Sequence, residues 1–159
     1  MSTSEQPAEG EALARDIMTT PVITVHPELS VKELVAVFRE HRVGGVPVVN
    51  DADELIGIVT EGDLMALDSD VPMPHYFELF DSIIYLGSQK KFKEHLQKAV
   101  AATVADLMTP APLTVKPDDP ARAAATLMSR HGFDRVPVED DGKVVGVVTR
   151  HDIIKLLEL

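Results

Sequence analysis

The sequence predicts an α/β (α+β) fold: two β-α-β-β-α units packed as a pseudo-twofold pair, with a helical insertion between them. Three observations carry this expectation. The stretch GIVTEGD, residues 57–63, returns as GVVTRHD, residues 146–152. A constant offset of 90 sets Asp16-Ile17-Met18-Thr19 on Asp106-Leu107-Met108-Thr109, and Val46-Pro47-Val48 on Val136-Pro137-Val138. Within each copy, strand-like and helix-like hydrophobic spacing follow one another in the same order. Two copies are too few for an open solenoid, which needs about three, so a closed pair is expected.

The elements follow in order. Residues 1–13 open with MSTSEQPAEGE, polar and acidic, and predict a disordered tail. Unit one spans residues 14–67. Its strand VITV (22–25) runs toward Pro27, and an amphipathic helix then places Val31, Leu34, Val35 and Phe38 on one face. Unit two, residues 103–159, repeats this with PLTV (112–115) and a helix from Ala121 to Met128. Glycine should end each helix, Gly44 in the first copy and Gly132 in the second. VPVVN-DADE-LIGIVT then reads strand, turn, strand, and VPVED-DGK-VVGVVT is its shorter twin, with Asp141-Gly142 as the turn signal. A last helix starts at each Thr-x-x-Asp.

Residues 68–102 have no counterpart. They hold five of the seven aromatics and four of the eight lysines, and predict two helices parted at Gly87-Ser88. The segment either covers an exposed edge or offers a surface for a second copy or a partner protein.

Composition narrows the function. A net charge of −11 opposes binding to nucleic acid. No apolar run reaches the roughly 18–20 residues of a membrane helix, and no basic, apolar leader opens the chain. The absence of cysteine excludes thiolate chemistry and suits a reducing cytoplasm, the expected location. The six histidines lack a metal-binding spacing, so no metal is expected. No nucleophile–base pair is visible, so an enzyme is not expected.

The repeated Thr-x-x-Asp allows two readings. Thr60 and Thr149 can be N-caps, with Asp63 and Asp152 as their capping-box partners. Alternatively, a strand running into a helix start presents free amides to a phosphate, while the fixed carboxylate accepts a ribose diol. In the second copy Arg150 and His151 lie in the first helical turn, where cations oppose the helix dipole, and Arg135 precedes the V-P-V strand. Three cationic positions there suit an anion. The first copy has Glu61-Gly62 and Gly45 instead, an acid without a clamp.

Two such units, each carrying V-P-V and ending G-h-h-T-x-x-D with h apolar, resemble a pair of CBS domains, the Bateman module. The resemblance covers about residues 14–67 and 103–159. It implies two clefts between the units, adenosine-type ligands (AMP, ADP, ATP or S-adenosylmethionine) as regulatory rather than prosthetic groups, a disc-like homodimer, and a regulated partner protein. It implies Asp63 at the ribose in one cleft and Asp152 in the other, with Thr60 and Thr149 beside them at ribose or phosphate, Arg135 at the phosphate, and His151 at a further ligand-contact position. It places the base against Val22 and Val43 in the first copy, and Pro112 and Phe133 in the second. The cationic cluster makes the Asp152 cleft the preferred one.

Overall fold

V-P-V strands flanked by turn residues pair locally, and both hairpins form. The computed structural model describes residues 6–67 and 102–157. In it β1 (Gly45–Val49) pairs antiparallel with β2 (Leu55–Thr60), and β4 (Arg135–Asp140) with β5 (Lys143–Thr149). Asp141 and Gly142 take φ of 52° and 82°, the paired positive angles of the tight turn that the sequence signals. The helices expected within the 68–102 insertion lie outside the described residues.

Helix α2 (Val31–His41) starts where Ser30 Oγ accepts from Glu33 N at 3.1 Å, while Glu33 Oε2 takes the Ser30 amide at 2.9 Å. It buries Val31, Leu34 and Phe38. Its end differs from expectation: Arg42, not Gly44, takes the left-handed conformation at φ 52°, matching Gly132 at φ 70° after α5 (Ala121–His131). The first strand of each unit also differs. VITV and PLTV shrink to single parallel bridges, Val25 to Val48 and Val115 to Val138. Prolines on both sides, Pro21 and Pro27 in one copy and Pro110, Pro112 and Pro117 in the other, lack the amide donors a longer ladder needs.

The offset of 90 reappears in the hydrogen bonds, and these show that the units exchange their leading segments. Short helix α1 (Ala14–Ile17) docks on unit two, with Ala14 N to Asp119 O at 2.8 Å and Arg15 N to Pro117 O at 3.1 Å. Its counterpart α4 (Val104–Leu107) docks on unit one, with Val104 N to Leu29 O at 2.8 Å and Ala105 N to Pro27 O at 2.9 Å. Strand β3 (Thr109–Pro110) extends the first sheet by pairing with Gly57 and Ile58 of β2, and Thr19 bridges Val147 of β5. Each of the two buried cores is therefore completed by the other repeat. Val104, Leu107 and Met108 join Leu34, Phe38 and Val46, while Ala14, Ile17 and Met18 join Ala124, Met128 and Val136. Contacts with unit two continue into residues 11–13. Leu13 bridges Pro120, Ala12 O accepts from Ala121 N at 2.8 Å, and Glu11 pairs with Arg122.

The motif glycines follow from the same crossing. A Cβ on Gly57 would lie 2.6 Å from Met108 Sδ, and one on Gly146 would lie 2.3 Å from Met18 Sδ. Each glycine admits a methionine delivered by the other copy. Helices α3 (Glu61–Ala66) and α6 (Arg150–Leu156) then leave the strands at Thr60 and Thr149.

Candidate functional site

A cavity of about 620 Å³ lies between the units. Its wall from unit one includes Thr60, Glu61 and Asp63, and its wall from unit two includes Pro112, Phe133, Asp134, Arg135 and Arg150. The chain crossing explains this mixture. Pairing of β3 with β2 carries Ala111, Pro112 and Leu113 to the Asp63 corner, with Ala111 N donating to Ile56 O at 3.1 Å. Phe133 follows the left-handed Gly132, donates its amide to Met128 O at 3.1 Å, and stacks on His131 with centroids 5.4 Å apart.

Both Thr-x-x-Asp corners are capped, but not alike. At the first, Thr60 N and Thr60 Oγ1 approach Asp63 Oδ2 at 2.8 and 3.2 Å, so both bonds fall on one carboxylate oxygen. At the second, Thr149 N and Oγ1 approach Asp152 Oδ2 at 2.9 and 3.0 Å, and Asp152 N donates back to Thr149 Oγ1 at 3.3 Å. There Thr19 Oγ1 from the other unit also donates to the carboxylate, 3.1 Å from Oδ2 and 3.4 Å from Oδ1. Asp152 is 7% exposed, whereas Asp63 is half-buried beside the cavity.

The helix starts offer fewer free amides than the sequence suggests. Glu61 N donates to Gly44 O at 2.9 Å and Arg150 N to Asp134 O at 3.0 Å. An anion in the cavity meets side-chain donors instead. The Arg135 guanidinium, its side chain 14% exposed, crosses to unit one and donates from Nη1 to Gly45 O at 3.2 Å. Its Nε and Nη2 hold the two oxygens of Asp134, both at 2.9 Å. Those Arg135 hydrogen bonds hold the Asp134 carboxyl below its ordinary pKa, with the charges of Arg135 and Arg150 adding to the effect.

The expected site residues are thus regrouped. Pro112, Phe133, Arg135 and Arg150 sit with Thr60 and Asp63 in one cavity, not with Asp152. Arg135 fills the space that a side chain at Gly45 would take: a Cβ there would lie 2.8 Å from Nε. The absent cation of the first copy is the room for the cation of the second. Thr149 and Asp152 form the crossed cap, His151 is exposed at the surface, and Val22 and Val43 are half-buried, with Val43 packed on the first core. None of these five lines the cavity described above. Sequence reasoning misses Asp134, Thr19 and Thr109. The two threonines carry a signal, since both end the repeated Asp-x-Met-Thr. Asp134 carries none and reads as a loop acid.

Two interleaved hairpin-and-helix units with a cleft between them define a tandem-repeat module. The family model that matches is the CBS domain, over residues 14–70 and 104–159, and the chain belongs to the CBS-domain family as a tandem pair. It is 31% identical over 153 residues to an uncharacterized protein, MJ1426, of Methanocaldococcus jannaschii, covering 91% of this chain and 90% of that one. It is 37% identical to the chloroplastic CBS domain-containing protein CBSX2 of Arabidopsis thaliana, covering 82% of this chain but 56% of that protein. Among solved structures it is similar to CBSX2 in complex with AMP, at 33% identity and a TM-score of 0.69, covering 92% of this chain and 96% of that chain. It is also similar to the CBS domain pair of protein MJ0100 in complex with 5′-methylthioadenosine and S-adenosyl-L-methionine. That match has 28% identity and a TM-score of 0.69, and covers 93% of this chain and 97% of that chain.

Proposed function

We propose that the protein is a regulatory module that binds an adenosine-type nucleotide in the cleft around Asp63, acting by binding rather than by catalysis. The observation that carries this is the meeting, in one cavity, of a capped carboxylate with an apolar wall and two arginines. Thr60 holds Asp63 through Oδ2, which leaves Oδ1 to accept a ribose diol. Pro112 and Phe133 give a purine flat apolar contact. Arg135 and Arg150 supply charge-assisted donors for phosphate. The AMP complex of the similar CBSX2 supports the ligand class, and the S-adenosylmethionine complex of the MJ0100 pair keeps a phosphate-free adenosine derivative within it.

The reading extends to signalling. The cleft is walled by both repeats, so a ligand that binds one packing of the units better than another shifts their equilibrium by that difference in affinity. A regulated partner protein, or a second copy in a homodimer, would read the shift, and the cytoplasm is the proposed setting. A thermal-shift panel with AMP, ADP, ATP and S-adenosylmethionine tests the binding step. At 100 times Kd a ligand adds about 2.7 kcal/mol, a rise of roughly 5–10 °C for a domain of this size. Flat melting curves with all four at millimolar concentration would remove the proposal and favour the alternative, a ligand-free protein-interaction scaffold that acts through the insertion at residues 68–102.

A further inference from the structure

We propose that Asp134 is an internal counter-anion that sets how much negative charge the cleft accepts, so that the site takes the nucleoside monophosphate in preference to the di- and triphosphate. The inference rests on the nucleotide reading of the cleft and goes on to choose among its members.

Three observations carry it. First, the clamp arrives already occupied. Arg135 is forked onto both oxygens of Asp134 at 2.9 Å, and its Nη1 is on Gly45 O. Three of its five N–H groups are spent, leaving two for a ligand. Second, the guanidinium is braced in place. A Cβ on Gly45 would sit 2.8 Å from Nε, and one on Gly44 would sit 3.1 Å from both Nη2 and the Glu61 carboxyl carbon. Arg135 cannot swing toward a distant phosphate without giving up bonds to both units. Third, the charge balance of the wall is unfavourable to polyanions. Glu61, Asp63 and Asp134 face Arg135 and Arg150, three negative groups against two positive ones.

Each further phosphoryl group brings about one more negative charge. Beyond the first phosphate it finds the clamp neutralised by Asp134, and Glu61 and Asp134 repel it. One phosphate can take the two free N–H groups of Arg135 and the Arg150 guanidinium; a second gains no unspent cation among the lining residues. The selectivity follows from Coulomb's law in a partly screened site, so it weakens with salt.

Calorimetric titration of the full chain and of Asp134→Asn tests it, with adenosine, AMP, ADP and ATP as magnesium-free salts at low and physiological ionic strength. Asparagine keeps a similar shape and an acceptor for Arg135, and a melting point close to that of the unchanged protein verifies folding. In the wild type, ADP and ATP should bind no tighter than AMP. In the variant the ATP-to-AMP affinity ratio should rise about tenfold, with adenosine altered less than about twofold and the gain shrinking with salt. A wild-type preference for ATP of tenfold or more overturns the inference while leaving the nucleotide reading intact. So does AMP binding with the same ATP-to-AMP ratio in both proteins. Failure of all four compounds to bind either protein overturns the nucleotide reading, and this inference with it.

Discussion

The Asp63 and Asp152 corners share a sequence motif, a backbone path and a capping bond, yet they stand in different surroundings. Asp63 spends one oxygen on its own cap and borders a cavity. Asp152 is buried, and the Thr19 hydroxyl from the opposite unit adds a donor to it. The counterpart of Thr19 is Thr109, which lines the cavity instead. A capped carboxylate can therefore still border a cavity, as Asp63 does. The capping bond fixes the carboxylate in both copies, and what crosses over from the other copy sets its further contacts, a hydroxyl donor at Asp152 and a cavity at Asp63.

Substitutions at the two corners should have unequal effects. The largest effect should follow Asp63→Ala: AMP affinity falls about 100-fold, or about 2.7 kcal/mol, by calorimetry, as the diol loses its acceptor. Next comes Gly146→Ala, whose Cβ would meet Met18 Sδ, Cγ and Cβ at 2.3, 2.7 and 2.9 Å. It should lower stability by about 2 kcal/mol in denaturant unfolding. Gly57→Ala should cost less, since its closest side-chain contact is the flexible Met108 Sδ at 2.6 Å. Asp152→Ala comes third. It removes a cap and the partner of Thr19, and should cost about 1.5 kcal/mol of stability while changing AMP affinity less than about threefold. The smallest effect belongs to Thr19→Val, about 0.5–1 kcal/mol, read as a small fall in melting temperature with AMP binding intact.

Much of the fold is legible in the sequence because its causes are local. Asp141-Gly142 demands positive φ, Ser30 and Glu33 make a capping box, and Val31, Leu34 and Phe38 repeat at helical spacing. The exchange of leading segments is not local. Thr109–Pro110 is a two-residue strand that exists because β2 is there to pair with it, and aligning the copies assigns each residue to its own repeat. That alignment picks out Asp63, Arg135 and Phe133 but assigns them to different clefts, whereas they line one cavity. Gly45 misleads for the same reason: in sequence it is a missing cation, and in space it is the gap that Arg135 enters. The place of Asp134 on the cavity wall is invisible in advance because it partners a guanidinium held from the far side by Gly45 O.

A structure of the chain with AMP bound would separate the two corners. The ribose hydroxyls should lie on the Asp63 carboxylate and the phosphate between Arg135 and Arg150, with the Thr19–Asp152 bond unbroken. A ribose seated on Asp152 with Thr19 displaced, and Asp63 left without ligand, would contradict it.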